Sequence, residues 1–300
     1  MSLRGTRVLV YGATGVQGNA VVRKLKEEGA RIRVLIRDER KAKPFEEEGI
    51  EAFIGHLGDR ESLRHASEGA ERVFFHLPIE FDPDVLARFG RDAVDAAREA
   101  GVKLFVFNAS SILPDADLLA YRGKQQVREY LKSSGLPYIV LKPTLYMNNL
   151  EGPWTMPGIV NGGIFAYPLG PDIPIAWISA TDAAAYAVEA LKSEHFAGSE
   201  FTMYGPENLT AVQVADLLSR RLGREVRFHA IPLDDFEAQF STMIGPANAR
   251  AITDTYRWSN SLRPSPLAID DRQNAAQAFK ITPTNFASFL ESIDFTGDGK

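Results

Sequence analysis

Seven residues near the start of the chain, Gly12-Ala13-Thr14-Gly15-Val16-Gln17-Gly18, place three glycines at a spacing suited to holding a phosphate chain. Gly12 permits the tight turn out of a strand, Gly15 lets the backbone approach a diphosphate, and Gly18 allows a helix to pack closely on a sheet. A helix opening at Val16 would aim unpaired N–H groups and a favourable dipole at the anion. Thr14, Val16 and Gln17 share this turn and are candidate dinucleotide contacts with the glycines. Because the spacing is G-x-x-G-x-x-G, not G-x-G-x-x-G, the motif draws its weight from the strand before it and the helix after it.

The end of the second strand is where such a site reads the ribose. A carboxylate there accepts hydrogen bonds from a 2′-hydroxyl, whereas an arginine accommodates a 2′-phosphate. Here the strand closes on Ile36-Arg37-Asp38, with Arg40 and Lys41 just behind. Arg37 holds the strand-end position and Arg40 or Lys41 offers a second positive contact, which favours NADP(H) and leaves NAD(H) possible. His76 ends the fourth strand, where it is either a proton donor or a packing residue, and Leu77 and Pro78 behind it are candidate cofactor contacts. Ser110 and Ser111 follow the fifth strand, but no histidine–carboxylate arrangement is there to activate them as nucleophiles.

These residues need a frame. Strand-like runs at Arg7–Tyr11, Arg31–Arg37, Glu51–Ile54, Arg72–Phe75, Lys103–Phe107 and Tyr138–Leu141 alternate with helical stretches, including Val16–Glu28, Asp84–Ala100 and Ala120–Ser133. Strands separated by helices form parallel β-α-β units, so the first half is expected to be a doubly wound α/β sheet of Rossmann type. Residues 144–178, rich in Gly, Pro, Asn and aromatics, are expected to be a long loop. A capped helix is expected near Thr181-Asp182, and short strands at Phe201–Tyr204 and Glu225–Ala230 flank a helix at Thr210–Leu222 that stops at Gly223. The polar tail from Phe295 to Lys300 is expected to fray. The domain division is a nucleotide-binding domain over 1–150 and a smaller α+β lobe over 151–300, partly interleaved with it.

Composition narrows the function classes. A chain of 300 residues buries about three quarters of the surface its unfolded form exposes, so it needs no covalent staples. With no cysteine, disulfides, thiolate nucleophiles and zinc–thiolate sites are excluded. Five histidines, none paired at ligand spacing, point to no metal. Thirty-four basic against 39 acidic side chains leave a net charge of −5, which argues against broad capture of nucleic acid. No apolar run reaches the length of a membrane span, and the start Met1-Ser2-Leu3-Arg4 leads straight into a strand, so the expectation is a soluble cytoplasmic protein.

Several stretches together resemble the NmrA-like branch of the atypical short-chain dehydrogenase/reductase family. They are GATGVQG, the strand RVLIRD at 33–38, the pattern G-x-x-x-D-x-x-S-L over 55–63, Gly123-Lys124 with the following R-E-Y-L and G-L-P-Y, Tyr146-Met147-Asn148-Asn149-Leu150, Thr181-Asp182-Ala183-Ala184, and Thr282-Pro283-Thr284 leading to Phe289-Leu290. The resemblance implies a Rossmann-type sheet with NADP(H) along the strand ends and a C-terminal lobe closing a pocket over the nicotinamide. It also implies that Lys124 holds the ribose, that the backbone at Gly55-His56-Leu57 lines the adenine, and that Tyr146 and Asn149 touch the nicotinamide end. Tyr146 would then be a proton donor or a substrate stacker, with packing of the lobe interface as the alternative.

One departure stands out. Related enzymes carry Tyr-x-x-x-Lys on one helix face, the tyrosine supplying a proton and the lysine lowering its pKa. Four residues before Lys124 stands Ala120, which has no proton to give, and Tyr121 is displaced by about 100° around the helix. Tyr121 therefore either reaches the pocket from a neighbouring position or packs in the core. Two functions follow: an NADPH-dependent reductase of a small carbonyl, quinone or related compound, with Lys124 and Tyr146 as candidate catalytic residues, or a non-catalytic NADP(H) sensor acting through a protein partner. A sugar-nucleotide epimerase would need the missing tyrosine more acutely.

Overall fold

The computed structural model describes residues 2–80, 82–270 and 274–295. In chain order the elements are β1 (Arg7–Tyr11), α1 (Val16–Glu27), β2 (Arg31–Ile36), α2 (Lys43–Glu47), β3 (Glu51–Ile54), α3 (Arg60–Ser67), β4 (Arg72–His76), α4 (Pro83–Glu99), β5 (Leu104–Asn108), α5 (Leu119–Ser133) and β6 (Tyr138–Pro143). They continue with α6 (Met156–Gly162), β7 (Ile164–Tyr167), α7 (Ala180–Lys192), β8 (Ser199–Met203), α8 (Ala211–Leu222), β9 (Arg227–Ala230), α9 (Leu233–Ile244), α10 (Pro246–Ser261), α11 (Ala275–Phe279) and α12 (Phe286–Glu291). The chain divides into two compact units. The first comprises Met1–Pro143, Ala180–Met203 and Gln273–Ile281; the second comprises Thr144–Ser179, Tyr204–Arg272 and Thr282–Lys300. The chain leaves the first unit after Pro143 and returns to it twice, for α7 with β8 and for α11.

The first unit is built on a seven-stranded sheet ordered β3-β2-β1-β4-β5-β6-β8, with every neighbouring pair parallel. It is the doubly wound Rossmann-type sheet that the β-α-β pattern implies. Parallel strands covered on both faces read as continuous apolar runs rather than alternations, and RVLVY and LFVFN do so. Leu9, Tyr11, Val73, Phe75, Phe105, Phe107 and Val140 share a core with residues of α3, α4 and α5. The opposite face takes α1 and α7, which pack on each other and on the strands. At the sheet edge Lys142 of β6, 10% exposed, donates to Glu200 of β8 at 3.1 Å, so the one charged side chain inside that strand is neutralised by its neighbour.

In the second unit, residues 144–178 depart from the loop expected of them. They hold a 3₁₀ turn at Met147–Glu151, then α6 and β7, and β7 pairs in parallel with β9. Ile159, Phe165 and Tyr167 are buried against Trp177, Val214 and Leu218, and this burial stabilises regular structure in a glycine-rich stretch. The helix expected from Thr210 forms with Thr210 as N-cap. Its hydroxyl accepts from the Gln213 N–H while the Gln213 side chain accepts from the Thr210 N–H, and Gly223 closes the helix in the left-handed conformation. The expected frayed tail lies beyond Phe295, outside the described residues.

Candidate functional site

The strand order of the first unit reverses between β1 and β4, and in open α/β sheets ligands bind outside the carboxyl ends of the strands at this point. The glycine segment occupies it. Gly12 leaves β1 with φ +72°, the Gly15 N–H donates to the Gly12 carbonyl at 3.0 Å, and α1 begins at Val16. A Cβ on Gly18 would lie 2.2 Å from the Gly12 carbonyl oxygen, so only glycine lets the helix pack this close to its own turn. No side chain caps α1 and its first turn carries no carboxylate, which leaves its N–H groups and dipole to an anion. Thr14, Gly15 and Val16 are exposed, and Gln17 is half-buried.

Across the crevice from Gly12 stands His76. Its Nδ1 is 2.9 Å from where a Gly12 Cβ would sit, and it is buried with no hydrogen-bond partner among the described residues. Burial, together with the positive charge of Lys124, pulls the imidazole down to about 4, so it is neutral at physiological pH. In the β4–β5 register His76 stands beside Asn108, the buried last residue of β5. The Asn108 Nδ2 donates to Gln17 Oε1 at 2.9 Å, and the Ser110 hydroxyl donates to the same oxygen at 3.2 Å. Lys124 rides on α5, half-buried, without a hydrogen bond or ion pair to any described residue. Desolvation lowers its ammonium to about 8. Gly12–Gly18, His76, Asn108, Ser110 and Lys124 thus all belong to the first unit. Tyr121 packs against the core beneath α5.

At the end of β2, Arg37 is exposed and free of hydrogen bonds or ion pairs to described residues, whereas Arg40 is bound through two nitrogens to Asp38 at 2.9 Å each. This fork-to-fork pairing ties Arg40 to Asp38, while the Arg37 and Lys41 side chains are exposed beside it. His56 turns its Nδ1 to the Gly58 N–H at 3.1 Å, and Asp59 caps α3 by accepting from Glu61. Leu57 is half-buried, Leu77 is 5% exposed within the core, and Pro78 is half-buried. Among the described residues no group of three or more His, Asp or Glu side chains gathers as a metal ion would require, and no helix is long and apolar enough to cross a membrane.

Tyr146 and Asn149 belong to the second unit. Tyr146 opens the 3₁₀ turn, and Asn149 donates its Nδ2 to the Tyr167 hydroxyl at 2.9 Å. The Tyr256 hydroxyl reaches the same oxygen at 3.2 Å. Burial raises the Tyr167 phenol, and the hydrogen bonds from Tyr256 and Asn149 offset part of that rise. Sequence reasoning placed none of Asn108, Tyr167 or Tyr256 in this site. Asn108, a polar residue closing an otherwise apolar run, was the one readable signal.

The chain matches the model of the NmrA-like family over residues 4–290. It is 32% identical over 251 residues to the NAD(P)H azoreductase of Xenophilus azovorans, covering 83% of this chain and 86% of that protein. The crystal structure of an NADPH-dependent quinone oxidoreductase from Escherichia coli, complexed with NADPH, superposes with a TM-score of 0.81 at 22% identity, covering 95% of this chain and 98% of that one. The structure of NmrA, a negative transcriptional regulator, in complex with NADP superposes at 0.77 with 20% identity, covering 97% and 95%. At these identities the structural likenesses establish the fold. Given a family match across almost the whole chain and a relative 32% identical over 251 residues, this chain belongs to the NmrA-like family.

Proposed function

We propose that this chain is an NADP(H)-dependent reductase of a small carbonyl, quinone or related electrophile. The observation that carries the reading is the glycine turn at the β1/β4 reversal, where Gly18 has no room for a Cβ and the N-terminus of α1 has neither cap nor carboxylate. Those features fit a dinucleotide diphosphate: the backbone of Gly12, Thr14, Gly15, Val16, Gln17 and Gly18 would hold it. Arg37 and Lys41 would take the 2′-phosphate, so NADP(H) is preferred and NAD(H) is the weaker ligand. The His56-Leu57 backbone would line the adenine, Leu77 and Pro78 the strand-end floor, and Lys124 the nicotinamide ribose. The azoreductase relative supports the reading by its name, as does a quinone oxidoreductase of Escherichia coli, 26% identical over 239 residues.

When bound, NADPH supplies a hydride. What the chain's own residues supply is alignment and a proton. Ala120 has none to give, and neutral His76 is a poor acid at pH 7. Lys124 Nζ, lowered to about 8, is protonated at neutral pH yet close enough to release to return a proton to a reduced oxygen or nitrogen. Tyr146 is the second candidate donor.

The test is paired calorimetric titration with NADPH and NADH, then NADPH oxidation against a panel of quinones, azo dyes and aldehydes. NADPH binding with turnover of at least one acceptor supports the reading; failure of all acceptors rejects it. Ala120 favours a second reading, an NADP(H) sensor that acts through a protein partner. Under it NADPH binds without turnover, and association with that partner changes with the nucleotide.

A further inference from the structure

Ser110 is one of three described non-glycine residues with positive φ, at +54°. The left-handed region crowds a Cβ, so a serine stays there only when its surroundings hold it. Two bonds do so. The Ser110 N–H donates to Asn108 Oδ1 at 2.9 Å, and its hydroxyl donates to Gln17 Oε1 at 3.2 Å. Gln17 Oε1 also accepts from Asn108 Nδ2, so this one carbonyl oxygen joins α1 to both residues, 91 and 93 positions further along the chain. The far end of the same turn is tied by Gln125 of α5, whose Nε2 donates to the carbonyls of Pro114 (2.8 Å) and Ala116 (3.2 Å). Gln125 is the immediate neighbour of Lys124.

We propose that Gln17 is a positioning residue: its side-chain carbonyl locks the turn after β5 in a strained form and couples occupancy of the glycine loop to residues 109–118 that lead into α5. The backbone of Gln17 lies in the first turn of α1, among the groups that face the loop, while its side chain reaches away to β5. A ligand that fixes the loop thereby fixes the Gln17 carbonyl, and with it Ser110. Without the carbonyl, Ser110 relaxes to negative φ and the segment before Lys124 loosens. The coupling to the nucleotide rests on the proposed dinucleotide site; the lock itself does not.

Amide hydrogen exchange separates the two. Gln17→Met keeps the length of the side chain and removes the acceptor, whereas Gln17→Glu keeps an acceptor for both donors. In the ligand-free protein, Gln17→Met should exchange about tenfold faster over residues 109–118, with the amides of β1, β4 and β5 unchanged, and Gln17→Glu should restore slow exchange. In wild type, NADPH should slow exchange over 109–118 further, and in Gln17→Met it should no longer do so. Unchanged exchange over 109–118 in ligand-free Gln17→Met overturns the lock, as does a uniform rise across the first unit, which would make Gln17 merely structural. If the lock is seen but NADPH slows 109–118 equally in wild type and variant, the coupling is overturned. If NADPH does not bind wild type at all, the dinucleotide reading fails while the ligand-free comparison still decides the lock.

Discussion

Lys124→Met should make the ligand-free protein more stable while weakening NADPH binding. The Lys124 ammonium is half-buried with no hydrogen bond or ion pair to a described residue, and burial lowers it from 10.5 to about 8. The folded state thus binds this proton less tightly than the unfolded state does. Below pH 8 both states are protonated and the folded chain bears the full penalty, about 3 kcal/mol for a group lowered from 10.5 to about 8. As pH rises from 8 towards 10.5 the folded form releases its proton first, and the penalty shrinks to about 1 kcal/mol at pH 10. Methionine has a similar length and no charge, so urea unfolding should show Lys124→Met gaining about 1–3 kcal/mol at pH 7 and markedly less at pH 10. A variant no more stable than wild type at pH 7, or a gain that persists undiminished at pH 10, would refute the reasoning. The same substitution should raise the NADPH Kd at least about tenfold, since an ammonium bonding a ribose is a charge-assisted donor.

Other substitutions read other parts of the site. Gly18→Ala must push a methyl against the Gly12 carbonyl, and should cost about 1–3 kcal/mol in urea unfolding and abolish measurable NADPH binding by calorimetry. Arg37→Ala should raise the NADPH Kd about 10- to 100-fold and leave NADH within about twofold, because only the 2′-phosphate uses that charge. His76→Phe should flatten the acid limb of stability: with a folded pKa near 4 against 6.5 unfolded, wild type loses up to about 3 kcal/mol as pH falls through that window, and the variant should not. If Tyr146 delivers the proton, Tyr146→Phe should lower kcat at least tenfold with little change in NADPH Kd, a split readable in steady-state kinetics.

Residues whose partners lie close in sequence were legible, and those with distant partners were not. The Gly12–Gly18 turn could be read because strand, turn and helix are contiguous, and the apolar runs of β1, β4 and β5 announce strands buried on both faces. The structure of 144–178 could not, because β7 is completed by β9 some 60 residues later, and composition alone described a loop. Arg40 and Lys41 read alike as second positive contacts, and the bidentate bond from Arg40 to Asp38 is a geometry that sequence does not reveal. Asn108 was legible only as the head of an Asn-Ala-Ser triplet, because its place in the site depends on Gln17, 91 residues away. Ala120 was fully readable, since the absence of a hydroxyl needs no geometry to interpret.

The return of the chain to its first unit has a consequence during synthesis. Until Met203 has been made, β6 is the outermost strand and exposes a row of unpaired backbone groups to any neighbouring polypeptide. Lys142 sits on that strand, and its partner Glu200 is encoded in the very segment that will cover it. In the incomplete chain the lysine has yet to meet Glu200 and puts a charge on an open edge, one of the devices that discourage strands from pairing between molecules. Once β8 docks, the same ammonium becomes one side of an ion pair. The residue that protects the unfinished sheet thus becomes part of the seam that closes it.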